Sequence, residues 1–399
     1  MDMDADQEQQ ERKREILRNA RRVVIKIGSA VIAQDGFALN RQAMATLAQE
    51  ISALFQNPYE IVMVSSGAIL AGMERLGLKI RPRTIPHKQA IAAIGQSSLM
   101  KAWEGCFREK SRCVAQILLT TDDVNNRRRY LNARNTLLAL FRYGVIPIVN
   151  ENDTVVTNEI KFGDNDRLSG LVAGLIGADL LIILSHVEGL YGYGAAAAND
   201  PNDLPGQQSG IFSADPIPFV EKVTDEISGL ARGSTSFIGT GGMQTKILTA
   251  HEAAKSGIAT WIVNGRQPEI VTRILKNPEK HRGTFFFPEK DKLTSRKTWI
   301  GYALRPKGKL MVDDGARDKL VLANKSLLAS GIVHIEGSFG IGDLVQCVGL
   351  DGQEFARGLV NYTCEELQVI KGKKSAQIEG LLGYKYYDEI IHRDDLVIL

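Results

Sequence analysis

The sequence predicts an α/β protein in which a mostly parallel sheet is sandwiched by helices and followed by a small, β-barrel-like domain. Three observations support that fold class. Short, continuous apolar runs, typical of strands buried on both faces, recur at 23–27, 61–65, 114–119, 145–149, 180–184 and 259–263. Segments with helical apolar spacing separate these runs. From about residue 306 the apolar runs become short and glycine-punctuated, which favours a β-rich domain with one or two helices.

The first helix of the alternating region shows how the helices are predicted. Asn40 is suited to cap a helix N-terminus, and Met44, Leu47 and Ile51 then recur at helical spacing. The same spacing predicts further helices at 88–107, 131–143, 168–176 and 244–256. Strands that alternate with helices predict a parallel sheet, and ligands of such sheets bind beyond the carboxyl ends of the strands.

Composition narrows the class of protein. The chain has 399 residues, with 44% apolar and 24% charged residues, which is typical of a globular protein. A net charge of +3 is too small to indicate a protein that coats polyanions. The four cysteines show no CxxC spacing, and no apolar run approaches the roughly 18–20 residues that cross a bilayer. These features predict a cytoplasmic protein with no membrane partner.

Changes in composition predict the domain boundaries. Residues 1–20 are strongly polar and are expected to form a solvated, charged extension. The strand–helix alternation predicts a first domain at 21–285. Residues 286–305 contain Pro288 and several charges and are predicted to be a linker, and 306–399 form the second domain.

Two motifs at the ends of the first two strands are suited to anions. In KIGSA (26–30), Gly28 allows close backbone approach and Lys26 supplies a point charge for a phosphate. In SSGA (65–68), the hydroxyl of Ser66 and the free N–H groups after Gly67 suit a carboxylate or phosphate at a helix N-terminus. Each motif alone is common, since a glycine at a strand end and a serine N-cap are ordinary structural features.

A third pair of motifs follows the strand at 145–149. NEND (150–153) brings Asn150 and Asp153, and GDND (163–166) brings Asn165 and Asp166. Amide donors beside carboxylate acceptors can recognise the ammonium and carboxylate groups of an amino acid. A simple turn with an Asp N-cap is the alternative for GDND, but two such clusters so close together favour a ligand site.

The most specific motif is GTGGMQTK (239–246), which opens a predicted helix. Its glycines and threonines would expose backbone N–H groups to phosphate oxygens, with a lysine one helical turn further on. The alternative is a flexible glycine loop that only enters a helix. After Gly239 the motif consists of Thr240, Gly241, Gly242, Met243, Gln244, Thr245 and Lys246.

The sequence lacks the motifs of two other kinds of site, a Walker-type nucleotide site and a zinc site. The sequence contains no GxxxxGK[ST], which excludes a Walker-type nucleotide site. The six histidines form no HExxH or similar pair, so no zinc held by the protein is expected.

Taken in order, the motifs resemble the amino-acid kinase family, and within it the glutamate 5-kinases. The stretches that carry the resemblance are VVIKIGSAV (23–31), VMVSSGAILAG (62–72), LNARNTL (131–137), IPIVNENDTV (146–155), EIKFGDNDRLS (159–169) and GTGGMQTKI (239–247). Residues 306–399 resemble the PUA domain that often follows this catalytic domain. The resemblance covers nearly the whole chain after about residue 21.

The resemblance implies an activity. It implies ATP-dependent phosphorylation of the side-chain carboxylate of L-glutamate, giving L-glutamyl 5-phosphate in the first step of proline biosynthesis. ATP and Mg²⁺ bound through the nucleotide phosphates are the implied cofactors. It also implies a homo-oligomer, a dimer or tetramer, and feedback inhibition by proline.

The resemblance also assigns residues. The catalytic group is Lys26, Lys246 and Asp166. Positions that match glutamate-binding residues are Ser66, Gly67, Asn150, Asp153 and Asn165. Positions that match the nucleotide site are Lys26, Gly28, Ser185, His186 and 240–246.

Two features depart from the family pattern. An acidic residue is usual where His186 stands, and the segment 189–202 differs from the usual short turn, so contacts to the nucleotide on this side differ from the pattern.

PUA domains elsewhere bind RNA, but residues 306–399 hold 11 Lys+Arg against 14 Asp+Glu. Because lysine and arginine supply most non-specific affinity for nucleic acids, RNA binding is expected to be weak or absent.

Two alternatives are open from the sequence. One is another small-molecule kinase of the same family, acting on acetylglutamate, aspartate or a nucleotide monophosphate; the NEND and GDND pair with the PUA-like tail argues against it. The other is a non-catalytic RNA-binding or regulatory protein on the same fold. The presence of both lysines and Asp166, and the acidic tail, argue against that.

Overall fold

The computed structural model describes residues 2–34, 37–55, 59–155, 164–193, 212–230, 242–276, 278, 281–289 and 306–399. The chain divides into two compact units. The first comprises 1–124 and 133–292, and the second comprises 125–132 and 293–399. Most of the predicted linker lies outside the described residues, so its bounds stay a prediction.

The first unit is built on one large sheet. Its strands are β1 (Arg22–Ile27), β2 (Ala33–Gln34), β3 (Ala38–Leu39), β4 (Glu60–Ser65), β5 (Val114–Leu119), β6 (Ile146–Glu151), β7 (Leu180–Ser185), β8 (Tyr191–Tyr193), β9 (Phe212–Pro216), β10 (Phe219–Val220), β11 (Ala259–Asn264) and β12 (Thr284–Phe286). Eight of them pair in the order β10-β12-β11-β7-β1-β4-β6-β5. Every described pairing in this sheet is parallel except that of β11 with β12.

Helices connect these strands. They are α1 (Asp2–Asn19), α2 (Arg41–Leu54), α3 (Ala68–Leu76), α4 (Ile85–Arg108), α5 (Thr121–Asn125), α6 (Arg127–Arg142), α7 (Asp164–Ile176), α8 (Asp225–Gly229), α9 (Met243–Lys255) and α10 (Ile270–Lys276). The Asn40 side chain accepts a hydrogen bond from the Ala43 N–H at 2.9 Å and caps α2, as predicted. None of the helices among the described residues combines the length and the apolarity that crossing a membrane requires.

The central strands are buried on both faces, which is why their sequences read as continuous apolar runs. β6 and β7 are buried at every residue, and β1 and β4 at every residue but the first. The core packs around these strands and includes Trp103, Phe107 and Trp261, each fully buried. The predicted parallel α/β architecture is confirmed.

The N-terminal segment differs from its prediction. It is helix α1, and one face of that helix is buried, so a solvated extension is wrong for this part of the chain. Lys13 is 4% exposed and its Nζ lies 3.5 Å from the centre of the Trp261 ring. Leu17 is 2% exposed and belongs to the core of the first unit. Because most residues on this helix are charged, apolar periodicity could not reveal the buried face.

The second unit is β-rich, as predicted. Its strands are β13 (Gly308–Val312), β14 (Leu327–Leu328), β15 (Ile332–Gly337), β16 (Leu344–Val348), β17 (Glu354–Leu359), β18 (Glu389–Ile391) and β19 (Leu396–Ile398). Five pair in the order β15-β13-β16-β17-β19, and β14 pairs with β18. Its α-helices beyond residue 305 are α11 (Asp314–Val321), α12 (Cys364–Ile370) and α13 (Ile378–Leu382). They cover a separate apolar core that includes Tyr362.

Candidate active site

The carboxyl ends of the central parallel strands bring the predicted site residues to one edge of the sheet. Lys26 is the penultimate residue of β1, and in the neighbouring strands it pairs with Val64 of β4 and Ile183 of β7. Ser66 directly follows β4, and Asn150 lies near the end of β6. Since all these strands run in the same direction, residues that are distant in sequence converge here.

A buried group of three charges lies at this edge. Lys26 Nζ is 2.6 Å from Asp166 Oδ1, and Lys246 Nζ is 3.0 Å from Asp166 Oδ2. All three side chains are buried, and the carboxylate is 1% exposed. Each carboxylate oxygen therefore faces one ammonium group. We call these residues the lysine–aspartate triad; two cations and one anion leave it with a net charge of +1.

The first turns of two helices supply the other members of the triad. Asp166 lies in the first turn of α7, and Lys246 lies in the first turn of α9. The Thr245 hydroxyl lies 2.9 Å from Asp166 Oδ2 and 2.8 Å from the carbonyl oxygen of Gly242. The Lys246 ammonium also donates to that carbonyl at 3.3 Å. These contacts hold the start of α9 against the start of α7.

The pKa of Asp166 shows that the carboxylate of the triad is ionised. Burial alone raises the pKa of Asp166, but the two neighbouring ammonium groups outweigh it and bring the pKa down to about 2. Burial lowers the pKa of Lys26; Asp166 opposes this shift and Lys246 adds to it. At neutral pH the carboxylate is therefore ionised and holds the two lysines close together.

An amide cluster lies directly beside the triad. The Asn165 Nδ2 group donates to Ser66 Oγ at 3.1 Å and to Asn150 Oδ1 at 3.0 Å. Because Asn165 and Asp166 are consecutive on α7, the start of this helix places a hydrogen-bonding surface next to the charged one. Gly67 has φ of +116°, so it turns the chain from β4 into α3 in a conformation that favours glycine.

The backbone after β1 is closely packed at Gly28. Its N–H donates to the Leu184 carbonyl at 3.2 Å. A Cβ at this position would lie 3.1 Å from that oxygen and 3.6 Å from Lys26 Nζ. A side chain here would therefore crowd the Leu184 carbonyl oxygen and would lie in ordinary contact with Lys26 Nζ.

The remaining predicted residues lie in several environments. Ser185 ends β7 and is buried, whereas His186 is exposed. Burial and the nearby charges of Lys246 and Arg266 lower the pKa of His186, so this ring is neutral at pH 7. Asp153 is partly buried in the turn after β6, Met243 starts α9, and Gln244 is exposed. Thr240 and Gly241 lie outside the described residues.

A polar network that no sequence motif revealed lies at the same edge of the sheet. The Arg266 guanidinium donates to the Ala30 carbonyl through Nε at 3.2 Å and Nη2 at 3.0 Å. Glu188 accepts hydrogen bonds from Asn264 at 3.0 Å and from Gln267 at 2.8 and 3.0 Å. The network joins the loops after β1, β7 and β11. Its polar residues follow predicted strands, which is the signal that could have identified them.

Gln96, in the middle of α4, is a further contact residue that no sequence motif revealed. Its Oε1 accepts a hydrogen bond of 2.7 Å from Asn150 Nδ2, so it joins the amide cluster from a third side. A glutamine within a helix carries no motif that would have revealed this contact.

In the described part of the chain, no group of three or more His, Cys, Asp or Glu residues is arranged to hold a metal ion.

Comparison with known proteins agrees with the geometry. The amino acid kinase family profile matches residues 21–195, and the PUA domain profile matches residues 308–382. Glutamate 5-kinase of Syntrophotalea carbinolica is 48% identical over 97% of this chain and 99% of its own. The enzymes named glutamate 5-kinase in Geobacter sulfurreducens and Myxococcus xanthus are 49% and 47% identical, over 96% and 97% of this chain and 99% and 98% of theirs.

A comparison with solved structures shows a distant likeness to UMP kinases. UMP kinase from Bacillus anthracis has a TM-score of 0.43 and 18% identity, over 68% of this chain and 97% of that one. That likeness is too weak to bear on the reaction. The identity and coverage of the sequence relatives do bear on the family: this chain belongs to the glutamate 5-kinase family, with an amino acid kinase domain followed by a PUA domain.

Proposed function

We propose that the chain catalyses ATP-dependent phosphorylation of the L-glutamate side-chain carboxylate to L-glutamyl 5-phosphate, the first step of proline biosynthesis. The observation that carries this proposal is the position of the lysine–aspartate triad beside the amide cluster. One surface suits phosphate and the other suits an amino acid. The names of the relatives, which match nearly the full length of this chain, support the same reaction.

Lys26 and Lys246 are the catalytic residues on the phosphoryl side. Phosphoryl transfer depends on positioning and on neutralising charge at the transferred group. Asp166 keeps both ammonium groups within 3.0 Å of its oxygens, and the net charge of +1 favours a phosphate next to them. The start of α9, from Gly242 to Thr245, would offer backbone N–H groups to ATP, and the absence of a side chain at Gly28 would leave room for a phosphate beside Lys26.

The amide cluster would bind the amino acid. Ser66 and Asn165 would contact the carboxylate and ammonium groups, with Asn150 and Asp153 beside them. Since Ser66 Oγ accepts from Asn165, its own hydroxyl hydrogen is left to donate to a ligand. Gly67 makes the turn after Ser66 with a positive φ, and a Cβ there would lie 3.0 Å from the Ile32 side chain.

The chemistry requires no general base. A glutamate carboxylate is ionised at neutral pH and attacks the γ-phosphorus directly. A new carboxylate O–P bond forms, the bond between the γ-phosphorus and the β–γ bridging oxygen breaks, and ADP leaves with that electron pair. Mg²⁺ would be held through the nucleotide phosphates, because both oxygens of Asp166 already face lysines, and it would neutralise phosphate charge there.

Family membership also supports proposals about partners and setting. We propose a homo-oligomer, a dimer or tetramer, that proline inhibits by competing at the amino-acid surface.

The four cysteines are free thiols, which suits the reducing cytoplasm. The excess of acidic residues in 306–399 supports weak RNA binding or none, so a gel shift of sub-micromolar affinity at physiological salt would contradict this view.

One assay separates this function from the alternatives. The protein is incubated with ATP, Mg²⁺ and, in turn, L-glutamate, N-acetylglutamate, aspartate and UMP. Hydroxylamine then converts any acyl phosphate to a coloured hydroxamate, and ADP release reports transfer to UMP. Signal with glutamate alone is expected. Signal with another acceptor would reassign the substrate, and no turnover with any acceptor would favour the regulatory protein.

A further inference from the structure

The orientation of the amide cluster is determined by contacts inside the protein. Asn150 Oδ1 accepts hydrogen bonds from the Glu151 N–H at 2.9 Å and from Asn165 Nδ2 at 3.0 Å. Because a backbone N–H can only donate, the oxygen of the Asn150 amide must face it, and Nδ2 must point the other way. Nδ2 donates to Gln96 Oε1 at 2.7 Å. Gln96 therefore has to present its oxygen to Asn150.

This arrangement leaves one donor without a partner. Gln96 Nε2 is buried and makes no hydrogen bond to any described residue. A buried amide donor without a partner is costly, and rotating the amide by 180° would only place two donors face to face. The Gln96 oxygen stays on Asn150 although Nε2 is left without a partner. The hydrogen bond with Asn150 therefore determines the orientation of the Gln96 amide.

A very close crossing of α3 and α4 brings Gln96 to the cluster. A Cβ at Gly95 would lie 1.8 Å from the Ala68 carbonyl oxygen and 2.3 Å from Gly72 N. A Cβ at Gly72 would lie 2.0 Å from the Ile91 carbonyl oxygen. Only glycine fits at either position, so the two helix backbones touch. Since α3 begins just after Ser66, this helix pair supplies residues to both ends of the amide cluster.

We propose that Gln96 is a positioning residue for the amino-acid substrate, a role that rests on the proposed function. Its oxygen fixes the Asn150 amide, Asn150 fixes Asn165, and Asn165 directs the Ser66 hydroxyl toward the ligand. Without the Gln96 acceptor, Asn150 Nδ2 would lose its partner, and only the Glu151 N–H and Asn165 Nδ2 would still hold the Asn150 amide, both through its oxygen. The amino-acid surface would lose its orientation while the lysine–aspartate triad stayed intact.

Steady-state kinetics of Gln96→Ala and Gln96→Met test this role. Alanine cannot accept the Asn150 hydrogen bond, and methionine keeps the length of the side chain but offers only a weak sulfur acceptor. Loss of one buried hydrogen bond that orients a ligand contact is expected to raise KM for glutamate by about tenfold or more. KM for ATP should stay within about twofold, because the phosphate side is unchanged. If one variant folds poorly by circular dichroism, the other carries the test.

Ser97→Ala is the matched control, since Ser97 is the next residue on α4 and is exposed. It should have wild-type values of KM for glutamate and for ATP.

If the Gln96 variants lose kcat with both KM values unchanged, Gln96 is structural and the inference is wrong. If both variants equal wild type, it is also wrong, while glutamate phosphorylation by wild type would still stand. A wild-type protein that makes no glutamyl hydroxamate would instead overturn the proposed function itself. In that case, a crystal structure of Gln96→Ala still tests whether Gln96 holds the Asn150 amide in place. The amide is expected to shift, and an unchanged amide would contradict the inference.

Discussion

Two regions of the first unit bury lysine side chains to nearly the same extent and use them differently. Lys13 is 4% exposed, Lys26 is 5% and Lys246 is 6%. Lys26 and Lys246 face the two oxygens of a single buried carboxylate. Lys13 lies over the ring of Trp261 at 3.5 Å and donates to the Pro278 carbonyl at 3.3 Å.

The difference shows that burial alone does not identify a catalytic lysine. Aromatic faces and a carbonyl hold the Lys13 charge in a fixed place, which suits the attachment of helix α1. In the triad one carboxylate holds two ammonium groups and leaves a positive excess at the open edge of the sheet. Only the second arrangement has charge available for a phosphate.

The largest expected effect tests the catalytic side of this comparison. Lys246→Ala and Lys26→Ala each remove one cation from the phosphoryl site, and each should lower kcat by about 10³-fold. The hydroxamate assay measures the loss at saturating substrates. Near-normal turnover of Lys246→Ala would remove the triad from the reaction.

The next effect concerns the carboxylate that joins the two lysines. Asp166→Asn would leave two buried ammonium groups facing each other, at an expected cost of about 3 kcal/mol in the free energy of unfolding. Urea denaturation monitored by circular dichroism measures that cost. An unchanged free energy of unfolding would mean that Asp166 does not hold the lysines together.

Lys13→Met tests the structural side of the comparison. Loss of the cation over Trp261 should lower the free energy of unfolding by about 1–2 kcal/mol, since the interaction is desolvated. Turnover with glutamate at 25 °C should stay at the wild-type value. A fall in kcat comparable to that of Lys246→Ala would contradict the distinction between the two regions.

Glu50 extends the comparison to a buried anion. It lies on α2 and accepts hydrogen bonds from the backbone N–H groups of Val271 at 2.8 Å and Thr272 at 3.2 Å. Burial raises the pKa of this carboxyl group to about 7, and the hydrogen bonds oppose that shift.

The pKa of Glu50 predicts a pH dependence of stability. Since the pKa of Glu50 is raised in the folded state, the protonated carboxyl group stabilises the fold relative to the ionised one. That contribution to the free energy of unfolding is fully present below the ordinary pKa and is lost as the pH rises through about 7. Between pH 5 and 7 the free energy of unfolding should fall by at most about 1.4 kcal/mol per pH unit from this group. Glu50→Gln should flatten that slope in urea unfolding at pH 5, 6, 7 and 8. An identical slope in both proteins would show that Glu50 does not titrate in this range.

Much of the fold could be predicted from the sequence because the central strands are buried on both faces. β1, β4 and β7 are continuous apolar runs, and their polar successors mark the edge of the sheet where ligands bind. The rule placed Lys26 at that edge, and the family resemblance, not the rule, implied that Asp166 would lie beside it. It could not give the distances or the burial, which depend on how α7 and α9 pack.

The parts that could not be predicted depend on contacts between segments distant in sequence. Gln96 lies within a helix, and its role follows from the crossing of Gly72 and Gly95. The buried face of α1 includes a lysine, and a charged residue counts against burial in any sequence pattern. Its burial depends on Trp261, which lies almost 250 residues further along the chain.

The most direct test of the central claim follows the oxygen atoms of glutamate. L-glutamate labelled with ¹⁸O in the side-chain carboxylate is incubated with ATP and Mg²⁺, and hydroxylamine is added. Hydroxylamine attacks the acyl carbon, so the released phosphate keeps the oxygen that attacked phosphorus. We predict that ³¹P NMR will show one ¹⁸O atom in that phosphate with the wild-type protein and greatly reduced labelled phosphate with Lys246→Ala. Unlabelled phosphate from the wild-type protein would mean that water, and not the glutamate carboxylate, accepts the phosphoryl group.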